Sequence, residues 1–276
     1  SKNLAMFYIT NDKYYADEFL RLAFPGDRAT VNELVKRDGE SYMDDPWKPL
    51  SSVYHYRGIM VPLYWDLVEE NPVWSDADRK KVVEGLYRRL VDSLTKNDYT
   101  NIYRNYNKPG YYRLDRHVTW EVVGAYAIAR YLNKHYPSCD SKETLRLAHN
   151  ALDGAFEKVM YGTVTRFWLQ TQLEPFFFYA VLEGGLRNIG NPVLRKYAEG
   201  WLVLPDCSGK QGGKLIYDRM MTFSSLFMMH LYGYLVQDDA FTDLANQFPL
   251  ALKNFYLGQS FYPVKSYGRN FFRDTA

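Results

Sequence analysis

Apolar residues recur at helical spacing along nearly the whole chain, and no alternating strand pattern breaks in before the C-terminal tail. The spacing predicts helices over about 3–10, 12–24, 50–69, 75–95, 116–135, 141–160, 168–188, 191–203, 215–236 and 239–256. Ser75, with Asp78 three residues later, reads as a capping box in front of RKKVVEGLYRRLVDSL. Pro72, Pro137 and Pro192 mark stops or restarts. Pro62 lies inside a continuing apolar run and predicts a kink rather than an end.

The predicted helices alternate in character. Segments 50–69, 116–135, 168–188 and 215–236 are apolar on nearly every side, as in TWEVVGAYAIARYL and MMTFSSLFMMHLYGYL. The segments that follow, such as DADRKKVVEGLYRRLVDSL and SKETLRLAHNALDGAFEKVM, carry one apolar stripe and one charged face. A helix apolar all round needs protein on all sides, and an amphipathic one belongs outside it. The repeated alternation predicts an all-α fold of helical hairpins forming an incomplete α/α toroid (barrel) or solenoid-like array over residues 1–258, with 259–276 as a C-terminal tail and an irregular all-α domain as the alternative.

The links between these helices are unequal. Inner-to-outer links are short (NPVW, PSCD, IGN, QDD), whereas the outer-to-inner links 25–49, 96–114 and 204–214 are long. The long loops should therefore gather at one face, together with the N-terminal ends of the inner helices, and long loops commonly carry function. Lys96, Arg104, Lys108, Arg113 and Arg116 fall on that face, where helix N-termini add partial positive charge. Glu69, Glu70, Asp76, Asp140, Asp238 and Asp239 fall on the short-loop face. A cleft among the long loops would favour an anionic ligand.

Composition changes this picture in one respect. Aromatic residues reach 17%, with 25 Tyr, 16 Phe and 6 Trp, which suits thick helix–helix cores and also stacking on sugar rings. Formal net charge is only +2 and no basic run reaches five residues, which argues against a nucleic-acid partner. No stretch is long and apolar enough for a membrane span. Cys139 and Cys207 stand in no metal-ligand spacing, no HExxH or CxxC occurs, and no cofactor is expected. A signal peptide is not legible in SKNLAMFYIT and would have to lie upstream or be already removed.

Four inner-helix entrances supply candidate chemistry: Tyr54, His55, Tyr56 and Arg57; Tyr111, Tyr112 and Arg113 with Arg116, His117 and Trp120; Arg166, Trp168, Gln170 and Gln172; and Tyr217, Asp218 and Arg219. Each contains an Arg, whose planar fork can hold two oxygens of a carboxylate or sulfate. His117 should begin a helix, where the dipole and Arg116 both favour neutral imidazole, the form able to take or give a proton. Paired carboxylates for glycoside hydrolysis could be drawn from Glu40, Asp44, Asp45, Asp115, Glu121 and Asp218.

Several stretches resemble the helical toroid domain of polysaccharide lyases of the alginate lyase and heparinase II/III-like kind. AMFYITNDKYYADEFL is similar to their recurring hairpin, and WDLVEENPVWSDADRKKVVEGL to a helix leading through a short turn into S-x-x-x-R. DRHVTWEVVGAYAIARYL resembles their Asn-His-x-x-Trp entrance, with Arg116 where the family has Asn. GWLVLPDCSGKQG is similar to a Leu-Pro-Asp-Gly segment, and SFYPVKSYGRNFFRDTA to the link into a β-sandwich domain. The resemblance implies a periplasmic or extracellular enzyme that cleaves a uronic-acid-containing, acidic polysaccharide by β-elimination. His117 matches the family histidine. Arg116 would join it in neutralising the sugar carboxylate, with the proton carrier to be found among Tyr54, Tyr56, Tyr111, Tyr112 and Tyr217, of which Tyr112 and Tyr217 are the leading candidates. Tyr54, His55, Arg57, Arg113, Trp120, Arg166, Trp168, Gln172 and Arg219 would contact substrate. The alternatives are a toroid glycoside hydrolase using Asp44 or Asp45 with Asp218, and a non-catalytic glycan-binding domain.

Overall fold

The computed structural model describes residues 2–38, 45–52, 57–95 and 116–158, then 178–180, 182–183, 190, 192, 194–195, 198–199 and 232–246. It divides into two compact units, Ser1–Ala155 and Phe156–Ala276. Among the described residues all regular structure is helical, with no strand. The elements are α1 (Lys2–Thr10), α2 (Lys13–Ala23), α3 (Arg28–Asp38), the single turn α4 (Pro49–Ser52), α5 (Arg57–Val68), α6 (Asp76–Thr95), α7 (Arg116–His135), α8 (Lys142–Lys158) and α9 (Asp239–Asn246), with a 3-10 turn at Pro137–Cys139.

In the first unit the alternation of helix character becomes three hairpins, α1–α2, α5–α6 and α7–α8. Their first helices lie side by side, α5 packing against both α1 and α7. Hydrogen bonds fix their directions. Asn71, just past α5, donates to Asn11, just past α1, at 2.9 Å. Trp65 near the end of α5 donates to the Tyr131 hydroxyl near the end of α7 at 3.0 Å. The three first helices are therefore parallel. Arg89 of α6 pairs with Glu121 of α7, one near the end and the other near the start of its helix, so α6 runs antiparallel to α7.

The core of this unit takes up part of the aromatic excess. Phe7 of α1 meets Trp74 edge-on with centroids 5.2 Å apart, Phe19 of α2 stacks on Trp65 at 6.0 Å, and Trp65 lies 5.2 Å from Trp74. Every residue from Thr119 to Ala129 of α7 is buried, as its all-round apolarity predicts. The same pattern misleads for α5, which leaves Leu67 56% exposed. On α6 the stripe Val82, Leu86 and Leu90 is buried while Lys81, Glu84 and Arg88 face outward.

The turns are closed by side chains the sequence made legible. At the start of α6 the Ser75 hydroxyl accepts from the Asp78 N–H at 3.1 Å, and the Asp78 carboxylate accepts from both the Ser75 N–H and hydroxyl. This is the predicted capping box, and Ser75→Ala should cost about 1 kcal/mol in chemical denaturation. Arg79 ties the turn down by donating to the Glu69 and Asn71 carbonyls, and the Trp74 indole donates to the Val68 carbonyl at 2.8 Å.

One of the long links expected in this unit contains a helix. Residues 25–49 were expected as a loop, yet 28–38 form α3. Asp27 caps it by accepting from the Thr30 N–H at 2.8 Å, and that bond, more than any neighbouring charge, holds its carboxyl below the ordinary range. Thr30, Val31 and Leu34 supply the buried face.

In the second unit, the helical turn 232–236 leads through Gln237 and Asp238 into α9. Tyr232 meets Phe241 edge-on at 5.0 Å, and Arg195 lies over the Phe241 ring while bonding Glu199 and Asp238. Gly233 permits this closeness: a Cβ there would sit 2.9 Å from the Asp238 carbonyl oxygen, the Phe241 Cβ and the Thr242 Cγ2. Three hairpin turns share one device, a residue in the left-handed region directly before the residue that opens the next helix. These are Asn11 (φ 53°), Asp140 (φ 47°) and Gln237 (φ 57°). Asp12 and Asp238 then cap the following helix by accepting from the Tyr14 and Ala240 N–H groups.

Candidate functional site

The parallel packing of α5 and α7 sets the geometry of the candidate site. Trp65 and Tyr131 lie level with one another, joined by their hydrogen bond. Counting back along the axes, Arg57 lies about 12 Å and His117 about 21 Å towards the helix starts. Both first turns thus point to the same end of the unit, offset by about 9 Å along the axis. The level pairing of Arg89 with Glu121 brings the end of α6 to that end as well. Residues 53–56 and 96–115, which lead into α5 and α7, join the described chain there.

The helix start predicted at Arg116 and His117 is found, since α7 begins at Arg116. The backbone of Arg57, Arg116 and His117 belongs to the described elements, whereas their side chains do not. Tyr54, His55, Tyr112, Arg113, Arg166, Trp168, Gln172, Tyr217 and Arg219 lie outside the described residues.

Trp120 requires a correction. Its side chain is 5% exposed, so it offers no open face to a sugar. On the second turn of a helix buried all round, the ring is taken up by packing, and Trp120 belongs to the core. Glu121, one of the carboxylates considered for hydrolysis, is also buried and is paired with Arg89. Asp45 accepts from the Trp47 N–H at 3.0 Å and closes a turn.

The opposite end of the unit collects the turns after α1, α5 and α7. It was expected to present Glu69 among its acidic residues, but Glu69 is buried at 8% exposure. Its carboxylate accepts from the Tyr131 hydroxyl at 2.7 Å and from the Tyr136 hydroxyl. Burial first, and the Glu69 bond second, push the Tyr131 hydroxyl well above its ordinary value and that of Tyr136 up to about 12. Asp66 next to this network accepts from His135 at 2.7 Å. Glu70, Asp76 and Asp140 remain exposed at this end.

Sequence reasoning missed Arg89. It sits in the charged-looking run LYRRLVDSL, yet it falls on the stripe of Val82, Leu86, Leu90 and Ser93, all buried. Its position on that stripe, facing a helix with a single internal acid, was the available signal. Among the described residues no group of three His, Cys, Asp or Glu could hold a metal, and no helix is long and apolar enough to cross a membrane.

Compared with known proteins, the chain matches no family model, no curated protein and no solved structure.

Proposed function

We propose that the chain is an incomplete α/α toroid that cleaves an acidic, uronic-acid-containing polysaccharide by β-elimination, at a periplasmic or extracellular location. The supporting observation is the parallel arrangement of α1, α5 and α7, which sends the first turns of α5 and α7, with Arg57, Arg116 and His117, to one end of the unit. Inner helices running in one direction are what a toroid requires. A shared end for their N-termini also offers partial positive charge to an anionic sugar.

In this reading Arg116 and His117 neutralise the uronate carboxylate. The C5 proton then becomes acidic enough for a base to remove, because the charge that builds up on the enolate-like carboxylate meets fixed cations and donors. The C5–H electron pair forms the new double bond as the glycosidic bond at C4 breaks, and a proton goes to the leaving oxygen. Tyr112 and Tyr217 are the proposed proton carriers. Tyr54, His55, Arg57, Arg113, Arg166, Trp168, Gln172 and Arg219 are the proposed sugar contacts, with Trp120 left to the core.

The test is incubation with alginate, heparin, chondroitin and pectin-type polymers, following the ultraviolet absorbance of unsaturated products. Absorbance should rise with at least one polymer, and His117→Ala should slow that rise by about 100-fold or more. Full activity in His117→Ala would overturn the site assignment. New reducing ends without absorbance would replace elimination by hydrolysis, and binding without either signal would leave a glycan-binding domain.

A further inference from the structure

We infer that Arg89 and Glu121 form a positioning pair that locks the first turns of α7 in register with α6. Both side chains are buried, at 6% and 3% exposure, and they are joined by the Arg89 Nη2 and Glu121 Oε2 atoms. Around them the helix faces are largely apolar, with Leu86 and Leu90 on α6 and Val122 and Val123 on α7 all at 2% exposure or less, and Ser93 a buried polar side chain on the same stripe of α6. Apolar stripes tolerate small slides against each other, and a charged pair between them does not. A shift of a single residue moves one partner by about 1.5 Å along the axis, and a shift of one turn by about 5.4 Å, leaving both charges buried apart.

Stability alone is a poor explanation for such a pair. Replacing a buried ion pair by apolar residues of similar size is often neutral or stabilising, because the desolvation of both charges is avoided. What an apolar pair lacks is a defined register. Glu121 stands about one turn after His117, and Arg89 about one and a half turns before the end of α6. The pair therefore sits immediately beneath the end of the unit where Arg116 and His117 begin α7, and it fixes where that first turn stands. Its consequence for ligand binding rests on the lyase reading, whereas the register itself does not.

The experiment compares amide hydrogen exchange in the full chain and in the double variant Arg89→Met/Glu121→Met. The first helical N–H groups lack intrahelical partners, so the informative amides are those of residues 120–124, with 127–133 as the internal control. The double variant should keep its helical circular dichroism and melt no earlier than the wild type. Its amides at 120–124 should exchange about tenfold faster while 127–133 stay unchanged. Unaltered protection at 120–124, or an even loss along α7, would overturn the inference. If the double variant does not fold, Glu121→Gln, which keeps the shape and removes the charge, carries the same exchange comparison. On any uronate polymer that the wild type cleaves, the folded variant should show a raised KM. A wild type that cleaves none defeats the lyase reading and leaves the exchange pattern to decide the pair's role.

Discussion

Trp65→Ala should remove about 4 kcal/mol of stability, a large share of what holds a domain of this size together. Trp65 has no exposed surface and is the point where three elements meet. It stacks on Phe19 of α2, leans on Trp74 of the α5–α6 turn, and donates its indole N–H to Tyr131 of α7. Alanine would lose the ring's burial and leave a cavity between helices that cannot close without moving one another. Trp65→Phe separates the contributions: most of the ring contact survives while the donor to Tyr131 is lost, at a cost of about 1 kcal/mol. Chemical denaturation followed by far-ultraviolet circular dichroism reads both. A Trp65→Ala midpoint close to the wild-type value would mean that the aromatic cluster is not the centre of the unit's stability.

Glu69→Ala should be nearly as damaging, at about 3 kcal/mol, for a different reason. The loss is not apolar surface but two hydroxyl donors, Tyr131 and Tyr136, left facing each other without their acceptor. Double replacement by Tyr131→Phe/Tyr136→Phe in the Glu69→Ala background should recover part of the loss, since the two donors and their acceptor are then removed together. The same network sets an alkaline limit. Both hydroxyls hold their protons more tightly in the folded chain than in the unfolded one, where tyrosine loses its proton near pH 10. Their contribution is therefore whole below about pH 10; that of Tyr136 is lost as pH rises through about 12, its folded value, and that of Tyr131 only at still higher pH. The denaturation midpoint should fall over that interval, and Tyr136→Phe should flatten the fall. A midpoint independent of pH between 10 and 12 would show that burial and Glu69 together do not hold the Tyr136 proton.

Much of the first unit could be read from the residues because its rules are local. Apolar period predicted α1, α2, α6, α7 and α8 to within a few residues, and the capping box at Ser75 and Asp78 was legible because both partners lie three residues apart. Helix α3 escaped because its buried face rests on few residues, Thr30, Val31 and Leu34, while most of the rest of the segment is polar. The Asp27–Thr30 cap was its legible sign. The burials of Arg89 and Glu69 depend on partners 32 and 62 residues away, and no local pattern encodes such a distance. The same holds for Trp120, whose aromatic face looks equally suited to a sugar and to a neighbouring helix until the packing is known. Of the candidate site, the start of α7 at Arg116 was legible from a change of pattern. The convergence of α5 and α7 at one end followed from short links on one side and long ones on the other.

The left-handed residue that precedes each of the helix starts at Asp12, Ser141 and Asp238 has a consequence for how the chain folds. Each such turn closes a hairpin within a handful of residues, so the entropy of bringing its two helices together is small. Docking then joins neighbours in chain order, as α1 meets α5 and α5 meets α7. The same left-handed turn occurs in both compact units. Within the first unit each hairpin therefore closes over a short stretch of chain, and only the docking of one hairpin on the next has to bring distant residues together.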